Sequence, residues 1–154
     1  MLGEAGTGIE IAALRTETLV WLIERASRAQ LGRLMSDPRM RALMLNELFR
    51  RMAAHLDREK ANSADVVVCW RFPEGSGEGG YDRFQTVIEN GECVSGEELD
   101  RVPHATVTIA AADLLTVATG STPVTTMFLL GRIKVKGDIP LVARLPGYFD
   151  IPKP

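Results

Sequence analysis

The sequence predicts an α+β fold with one mostly antiparallel sheet. Three observations predict it: the hydrophobic period is helical up to about residue 60, it alternates like a strand after Asn62, and it becomes helical again after Ala110. The predicted element order is α-α-β-β-β-β-α-α-β-α, with consecutive strands first and most later elements helical. The last strand follows a helical crossover, which would allow it to pair in parallel.

The composition is that of an ordinary globular protein of 154 residues, 45% hydrophobic and 25% charged. The predicted division is an N-terminal helical extension over 1–60 and a folded domain over 61–154. The net charge of -2 argues against a dedicated nucleic-acid binder. No run of about 18 apolar residues predicts a membrane span. Neither a secretory signal nor a Ser-Lys-Leu terminus is found, so we expect a cytoplasmic protein with reduced thiols.

Two amphipathic helices are predicted before residue 60. The first pattern runs from about Ile9 to Met35, with an apolar stripe at helical spacing formed by Leu19, Leu22, Ile23 and Ala26. Asp37 is a suitable N-cap for the second helix and Pro38 suits its first position, and this helix should end near Asp57. Its apolar face is Leu45, Leu48, Phe49, Met52 and Leu56. Its remaining surface is assigned to Arg41, Glu47, Arg50 and Arg51.

The central part of the chain predicts four strands. The β-branched and aromatic run at 66–72 is the first, with Val66, Val68, Trp70 and Phe72 on one face. Residues 81–89 and 92–96 should form a hairpin around Asn90-Gly91, a dipeptide typical of two-residue hairpin turns. Residues 104–110 alternate again, with Val107 and Ile109 inward and Thr106 and Thr108 outward.

Residues 111–119 predict a helix that stops at Gly120, and 123–130 predict a second, more apolar helix. A strand at 132–136 and a short terminal segment at 139–149 complete the chain. Pro140 and Pro146 flank that segment and should shorten or break its helix. The four apolar residues at 127–130 must be covered on several sides or line a cavity.

One glycine-rich loop formally fits a nucleotide motif. The segment from Gly75 to Gly80 reads G-S-G-E-G-G, which matches G-x-G-x-x-G. A dinucleotide fingerprint must open a helix that faces the pyrophosphate, but the residues from Tyr81 onward predict a strand. Glu74 and Glu78 would also repel phosphate. We therefore interpret this loop as a hairpin connection.

Residues that commonly bind metals or perform catalysis are sparse. His55 and His104 have no cysteine or acidic neighbour at metal-ligand spacing, so structural roles are expected. Cys69 and Cys93 are predicted to be buried, inert thiols, on non-adjacent strands if the strand order is 3-2-1. The acidic clusters are interpreted as solvated turns and comprise Glu89 and Glu92, and Glu97, Glu98 and Asp100. Accordingly, no cofactor, metal site or catalytic residue is predicted.

Arg132, Lys134 and Lys136 share one side of the last predicted strand. Such a row usually keeps a sheet face or edge soluble. The alternative interpretation is contact with an anionic lipid head group.

Four segments in the second part of the chain together match a known pattern. They are the strand 66–70, the hairpin 84–91, the strand and helix 106–120 that end in Thr119-Gly120, and the block 128–138. Through these segments, residues 65–152 resemble the sterol-binding domain family of sterol carrier protein 2. The resemblance implies a five-stranded sheet covered by helices, with a hydrophobic tunnel. It further implies lipid binding and transport without a cofactor.

The leading hypothesis is therefore a non-enzymatic carrier of a sterol, fatty acid or other apolar lipid, with transient membrane contact as a further expectation. The candidate ligand-binding residues are Trp70, Phe84, Val107, Ile109, Leu115, Met127, Phe128, Leu130, Leu141, Leu145 and Phe149. The alternative is an accessory or dimerisation module of an enzyme system with no ligand of its own; its N-terminal helices could form a homodimer. A hydrolase or isomerase would need a catalytic constellation that the sequence does not supply.

Overall fold

The computed structural model describes residues 11–97 and 99–152. It confirms the α+β class with a five-stranded sheet. The helices are α1 (Thr16–Arg25), α2 (Arg28–Ser36), α3 (Pro38–Ala54), α4 (Ala111–Ala118), α5 (Val124–Leu129) and α6 (Ile139–Arg144). The strands are β1 (Val66–Pro73), β2 (Tyr81–Glu89), β3 (Glu92–Gly96), β4 (Ala105–Ile109) and β5 (Ile133–Gly137). Short 3₁₀ turns occupy Glu78–Gly80 and Leu145–Tyr148.

The sheet has the order β3-β2-β1-β4-β5. The predicted 3-2-1 order is confirmed, so Cys69 and Cys93 lie on strands separated by β2 and are free thiols. The expectation of a parallel last strand is wrong, because β5 is antiparallel to β4 and the parallel pair is β1 with β4. Ile109 at the end of β4 lies opposite Ile133 at the start of β5. The α4–α5 connection therefore returns the chain to the end of the sheet where β4 finishes.

The N-terminal helix predicted from Ile9 to Met35 is wrong as one helix. Its start lies outside the described residues, and the rest is divided at Ala26, whose ψ of 140° is extended. Ser27 then forms a capping box with Gln30, in which each side chain accepts a hydrogen bond from the other residue's backbone N–H. This reciprocal cap satisfies donors that a new helix start would otherwise leave unpaired. Leu22, which was placed on the apolar stripe, is 45% exposed.

Helix α3 starts as predicted and packs on the sheet, although it ends at Ala54, three residues before Asp57. Asp37 caps it by accepting from the Arg39 N–H at 3.0 Å. Phe49 on its buried face lies among three sheet aromatics, with ring centroids 6.0 Å from Trp70, 6.4 Å from Phe72 and 5.2 Å from Phe84. These contacts join helix and sheet in one core. That core contains residues from both sides of residue 60. The division into an extension over 1–60 and a domain over 61–154 remains a prediction.

Two arginines assigned to the surface of α3 are in fact buried. Arg41 and Arg51 are each 5% exposed. Arg41 pairs with Asp82 on β2 at 2.9 Å, which ties the start of α3 to the sheet. Arg51 donates to the backbone carbonyls of Ile11 and Leu14 at 2.9 and 2.7 Å. Helical periodicity missed both because it ranks arginine as solvent-facing, whereas paired donors stabilise a buried guanidinium. Arg51 Nε donates to Glu47 at 2.6 Å, but Arg41 Nε has no hydrogen-bond partner among the described residues.

The two predicted hairpin connections are confirmed. Asn90 and Gly91 have φ values of 56° and 72°, as a type I′ turn requires. The glycine-rich loop leads into β2, and its Gly75 N–H donates to the Gly80 carbonyl at 2.9 Å. A side chain at Gly75 would place its Cβ 2.2 Å from the Asp82 backbone nitrogen. The close approach of the Asp82 backbone therefore explains why residue 75 is a glycine, without any role in nucleotide binding.

Candidate ligand cavity

A cavity of about 280 Å³ lies between the sheet, helix α4 and the C-terminal segment. The β-sheet register places Trp70, Val107 and Val135 in one row on the helix-covered face, and the first two border the cavity. The wall residues are Met52, Trp70, Val107, Ile109, Leu114, Val117, Ala118, Thr119, Gly120, Val124, Ile133, Val142, Leu145, Pro146, Phe149, Asp150 and Ile151. This wall is predominantly apolar, as small-molecule sites usually are.

Part of the predicted ligand-binding set surrounds this cavity: Trp70, Val107, Ile109, Leu145 and Phe149. The other predicted residues lie elsewhere. Leu115, Met127 and Leu141 are buried in the core at 0%, 1% and 6% exposure. The remaining three are Phe84, which packs against Phe49 and Phe72, Phe128, which borders a separate groove, and Leu130, which is 58% exposed.

Sequence reasoning missed the wall that α4 provides. Leu114, Val117 and Ala118 face the cavity at i, i+3 and i+4 along that helix. That spacing was readable in the sequence, and it marks one helical face. The contribution of Met52 was not readable, because it depends on how α3 crosses the sheet.

Trp70 is held in the cavity wall by a buried hydroxyl network. Its indole N–H donates to Thr86 Oγ1 at 2.8 Å, and Thr86 Oγ1 is 2.8 Å from Ser95 Oγ. Thr86 is 1% exposed. The network spans β1, β2 and β3 and fixes the plane of the indole ring. Trp70 therefore presents a defined apolar surface to the cavity.

The C-terminal segment closes one side of the cavity. As the prolines predicted, its helix is short: α6 ends at Arg144 and a 3₁₀ turn with Pro146 follows. The chain then pairs with the end of α3, where the Asp57 N–H donates to the Tyr148 carbonyl at 2.8 Å and the Asp150 N–H donates to the His55 carbonyl at 2.8 Å. These bonds place Phe149 against the cavity, so the broken helix still covers it.

The cavity wall carries little polar chemistry. Thr119 is 3% exposed and donates to the Leu115 carbonyl at 2.8 Å, as well as bonding other partners. Asp150, at the rim, is the ionisable residue of the described wall, which contains no lysine, arginine or histidine. An anionic head group placed inside would therefore meet a carboxylate and no described cation.

The reactive residue types have structural partners. His104 Nδ1 accepts from the Val67 N–H at 3.0 Å, and His55 Nε2 lies 3.3 Å from Thr16 Oγ1, which agrees with the predicted structural roles. Burial raises the pKa of the Cys93 thiol to about 11. Glu89 pairs with Arg101 at 2.9 Å, while Glu98 of the other acidic cluster lies outside the described residues. Across residues 11–97 and 99–152, no group of His, Cys, Asp or Glu could hold a metal ion.

A second, open groove of about 250 Å³ lies between α5, β5 and α6. The apolar run at 127–130 was expected to be covered on several sides or to line a cavity, and it meets that expectation only in part. Met127 is buried at 1% exposure, but Leu129 is 86% exposed. Helix α5 has only six residues, and Met127 is its buried residue. Within residues 11–97 and 99–152, its opposite face is left exposed. Within the same described ranges, no helix has the length and apolarity needed to cross a membrane.

This sheet order, with helices and an apolar cavity on one face, defines a fold of the sterol carrier protein 2 type. Sterol carrier protein 2-like 2 from Aedes aegypti superposes with a TM-score of 0.53 at 19% identity, over 71% of this chain and 96% of that protein. Sterol carrier protein 2 from Yarrowia lipolytica in its apo form gives 0.51 at 14% identity, over 73% and 91%. The predicted resemblance is therefore confirmed for the fold.

The family itself is a different one. The profile of the alkyl sulfatase C-terminal family matches residues 33–154, and the chain belongs to that family. The stereoselective inverting sec-alkylsulfatase Pisa1 from Pseudomonas sp. superposes with a TM-score of 0.58 at 15% identity, over 97% of this chain. The chain spans 33% of that enzyme's length. No curated protein matches the sequence.

Proposed function

We propose that this chain is a non-enzymatic module that binds one apolar chain or ring system in the cavity beside Trp70. The observation that carries the proposal is the predominantly apolar cavity of about 280 Å³, which is near the lower end of the range of roughly 300–1,000 Å³ common for ligand sites. The sterol carrier fold supports it, since two neighbours of that fold are named as sterol carriers. The predicted ligand-binding residues around this cavity are the ones we retain as contacts.

The chemistry of the wall favours an uncharged ligand. Each buried methylene contributes about 0.8 kcal/mol, so ten of them give about 8 kcal/mol before ordering costs, which corresponds to micromolar binding or weaker. A carboxylate or sulfate head would lie beside Asp150 with no described cation in the wall. We therefore expect a long-chain alcohol to bind more tightly than the fatty acid or alkyl sulfate of equal chain length.

The proposal assigns no reaction to the chain. Among the described residues, the cavity wall holds no histidine, cysteine or lysine and one rim carboxylate, and general acid–base or nucleophilic catalysis needs a positioned pair. A hydrolase or isomerase therefore remains the least supported hypothesis. Lipid transport, a continuous tunnel and a cytoplasmic location remain predictions.

The alternative is an accessory module of a larger enzyme system with no ligand of its own. Membership of the alkyl sulfatase C-terminal family favours it, because Pisa1 holds a similar fold as one third of an enzyme. Helix α3, which is described in full, offers no exposed apolar stripe for such a contact, because its apolar face packs on the sheet. Trp21 and Leu22 on α1 are 42% and 45% exposed, and a homodimer would use them.

Trp70 supplies the experiment. In a Trp21→Phe background, Trp70 is the sole tryptophan, and its energy transfer to dansyl-undecanoic acid reports occupancy of the cavity. Ala118→Phe should fill the cavity and weaken probe binding at least tenfold, while Ala29→Phe on the exposed surface of α2 should leave it unchanged. Displacement by dodecanol, dodecanoate and dodecyl sulfate then ranks the head groups.

Absence of saturable transfer, or equal effects of the two alanine substitutions, would contradict ligand binding in this cavity. Equal displacement by all three competitors would contradict the preference for uncharged ligands while leaving the cavity as the site. Asp150→Asn sharpens that second test. After correction for the variant's own affinity for the probe, which also carries a carboxylate, the inhibition constants of dodecanoate and dodecyl sulfate should fall while that of dodecanol stays unchanged.

A further inference from the structure

We propose that the open groove side of the molecule docks on an anionic lipid bilayer. The proposed surface, called here the edge patch, combines exposed apolar and cationic residues of α5, β5 and α6: Phe128, Leu129, Leu130, Ile139, Arg132, Lys134, Lys136 and Arg144. The inference extends the proposed function, because a bilayer would be a source of apolar ligand, but docking is measurable without any ligand in the cavity.

The apolar half of the edge patch consists of four exposed side chains. Phe128, Leu129, Leu130 and Ile139 are 44%, 86%, 58% and 48% exposed. Phe128, Leu129 and Ile139 also border the open groove of about 250 Å³. Exposed apolar side chains that occur singly need no explanation, but a contiguous group rimmed by polar residues marks a binding surface.

The cationic half has no counter-charge of its own. Between residues 114 and 149 the sequence has four cations, Arg132, Lys134, Lys136 and Arg144, and one acid, Asp138. No ion pair to any of these cations is formed within the described chain. Asp138 is already engaged, since its carboxylate caps α6 by accepting from the Leu141 N–H at 3.0 Å. The net charge of the whole chain is -2, so positive charge is concentrated on this edge.

The geometry of β5 lets both halves meet one plane. It is an edge strand, with Val135 turned toward the groove and Lys134 and Lys136 on the opposite side. Lysine stems can lie along an apolar boundary while their ammonium groups reach phosphates. The exposed α5 residues would then enter the acyl boundary, as apolar residues of interfacial segments do.

Charge decides between a bilayer and a second copy of this chain. A two-fold symmetric contact through the edge patch would set Arg132, Lys134 and Lys136 of one copy against the same surface of the other. An anionic bilayer offers phosphates to each of these cations and a fluid apolar layer to Leu129. The groove also adjoins the cavity, because Val124 and Val142 line both. Docking would therefore bring the cavity wall next to the acyl chains.

The experiment is cosedimentation of the full chain with vesicles of phosphatidylcholine, with and without phosphatidylglycerol, at two salt concentrations. Lys134→Gln and Lys136→Gln should each lower the partition constant on anionic vesicles about fivefold, the equivalent of about 1 kcal/mol. Leu129→Asn should lower it about tenfold or more on the same vesicles. Matched controls are Arg58→Gln and Val102→Asn, which are exposed residues outside the edge patch and should have no effect.

Equal partition onto neutral and anionic vesicles, no partition onto either, or equal effects of the control substitutions would overturn the proposal. So would a change in oligomeric state caused by Leu129→Asn, measured by sedimentation velocity, without a change in vesicle binding. The dansyl-undecanoic acid titration, run without vesicles, separates the two proposals: intact probe binding with no docking overturns the edge patch alone. Circular dichroism confirms that each variant is folded.

Discussion

Replacement of Thr86 by valine tests whether the hydroxyl network stabilises both the sheet and the cavity wall. Valine keeps the shape of threonine but cannot accept the Trp70 indole N–H, which lies 2.8 Å from Thr86 Oγ1. Thr86 is 1% exposed and Trp70 is 5% exposed, so water cannot replace the lost acceptor without rearrangement. A buried donor left unpaired costs about 1–3 kcal/mol, and we expect about 2 kcal/mol here.

That cost is measurable by urea unfolding followed by far-UV circular dichroism. For a chain of this size it corresponds to a fall in Tm of about 4–8 °C. Thr108→Val is the matched control, because Thr108 is a partly buried strand threonine whose hydroxyl makes no hydrogen bond to the described residues. The control should be neutral or slightly stabilising, since valine suits a strand.

A second background isolates the hydrogen bond. In Trp70→Phe the indole N–H is absent, so Thr86→Val should cost at least 1 kcal/mol less there than in the native background. Thr86→Val should also weaken dansyl-undecanoic acid binding, because it frees the indole ring that borders the cavity. An equal cost in both backgrounds would refute the assignment of the energy to this bond.

Three further predictions concern ionisable groups. Arg41→Met and Asp82→Asn should each destabilise the fold by about 2–3 kcal/mol, because each single change leaves a partly buried charge unpaired. The double variant should lose less stability than the sum of the two. Thermal unfolding of the two single variants and the double variant measures this coupling. The hydrogen bond from Arg50 lowers the pKa of Glu47. The Glu47 carboxylate should therefore stabilise the fold above the ordinary pKa of glutamate, and this stabilisation should be lost as the pH falls through the lowered pKa. In acid unfolding, Glu47→Gln should not show this pH-dependent loss of stability. Burial raises the pKa of Cys93 to about 11. Iodoacetamide at neutral pH should therefore label Cys93 slowly until urea unfolds the chain. Fast labelling of Cys93 in the native protein would contradict this.

Local patterns in the sequence were sufficient for the elements that short-range chemistry controls. The Asn90-Gly91 turn follows from its backbone preference, and the start of α3 follows from Asp37 and Pro38. The split between α1 and α2 also has a local cause, the Ser27–Gln30 capping box, but the prediction of one continuous helix used only the apolar stripe.

The cavity was only partly accessible to the same reasoning. Strand alternation placed Trp70, Val107 and Ile109 on the inner face, and these residues border the cavity. Periodicity could not distinguish residues that line the cavity from residues of the packed core. Leu115 is equally apolar and fully buried, yet it does not line the cavity. Whether an inward side chain meets another side chain or a void depends on how neighbouring elements pack.

By itself, the sequence determined the α+β class, the order of elements from α3 onward and the strand faces, because these depend on periodicity and turn chemistry within a few residues. Tertiary structure alone decided three other features. It buried Arg41 against Asp82, closed the cavity through the bonds from Asp57 and Asp150 to the opposite segment, and left Leu129 exposed at the sheet edge. Each depends on a contact, or a missing neighbour, between segments far apart in the chain, which no local pattern encodes.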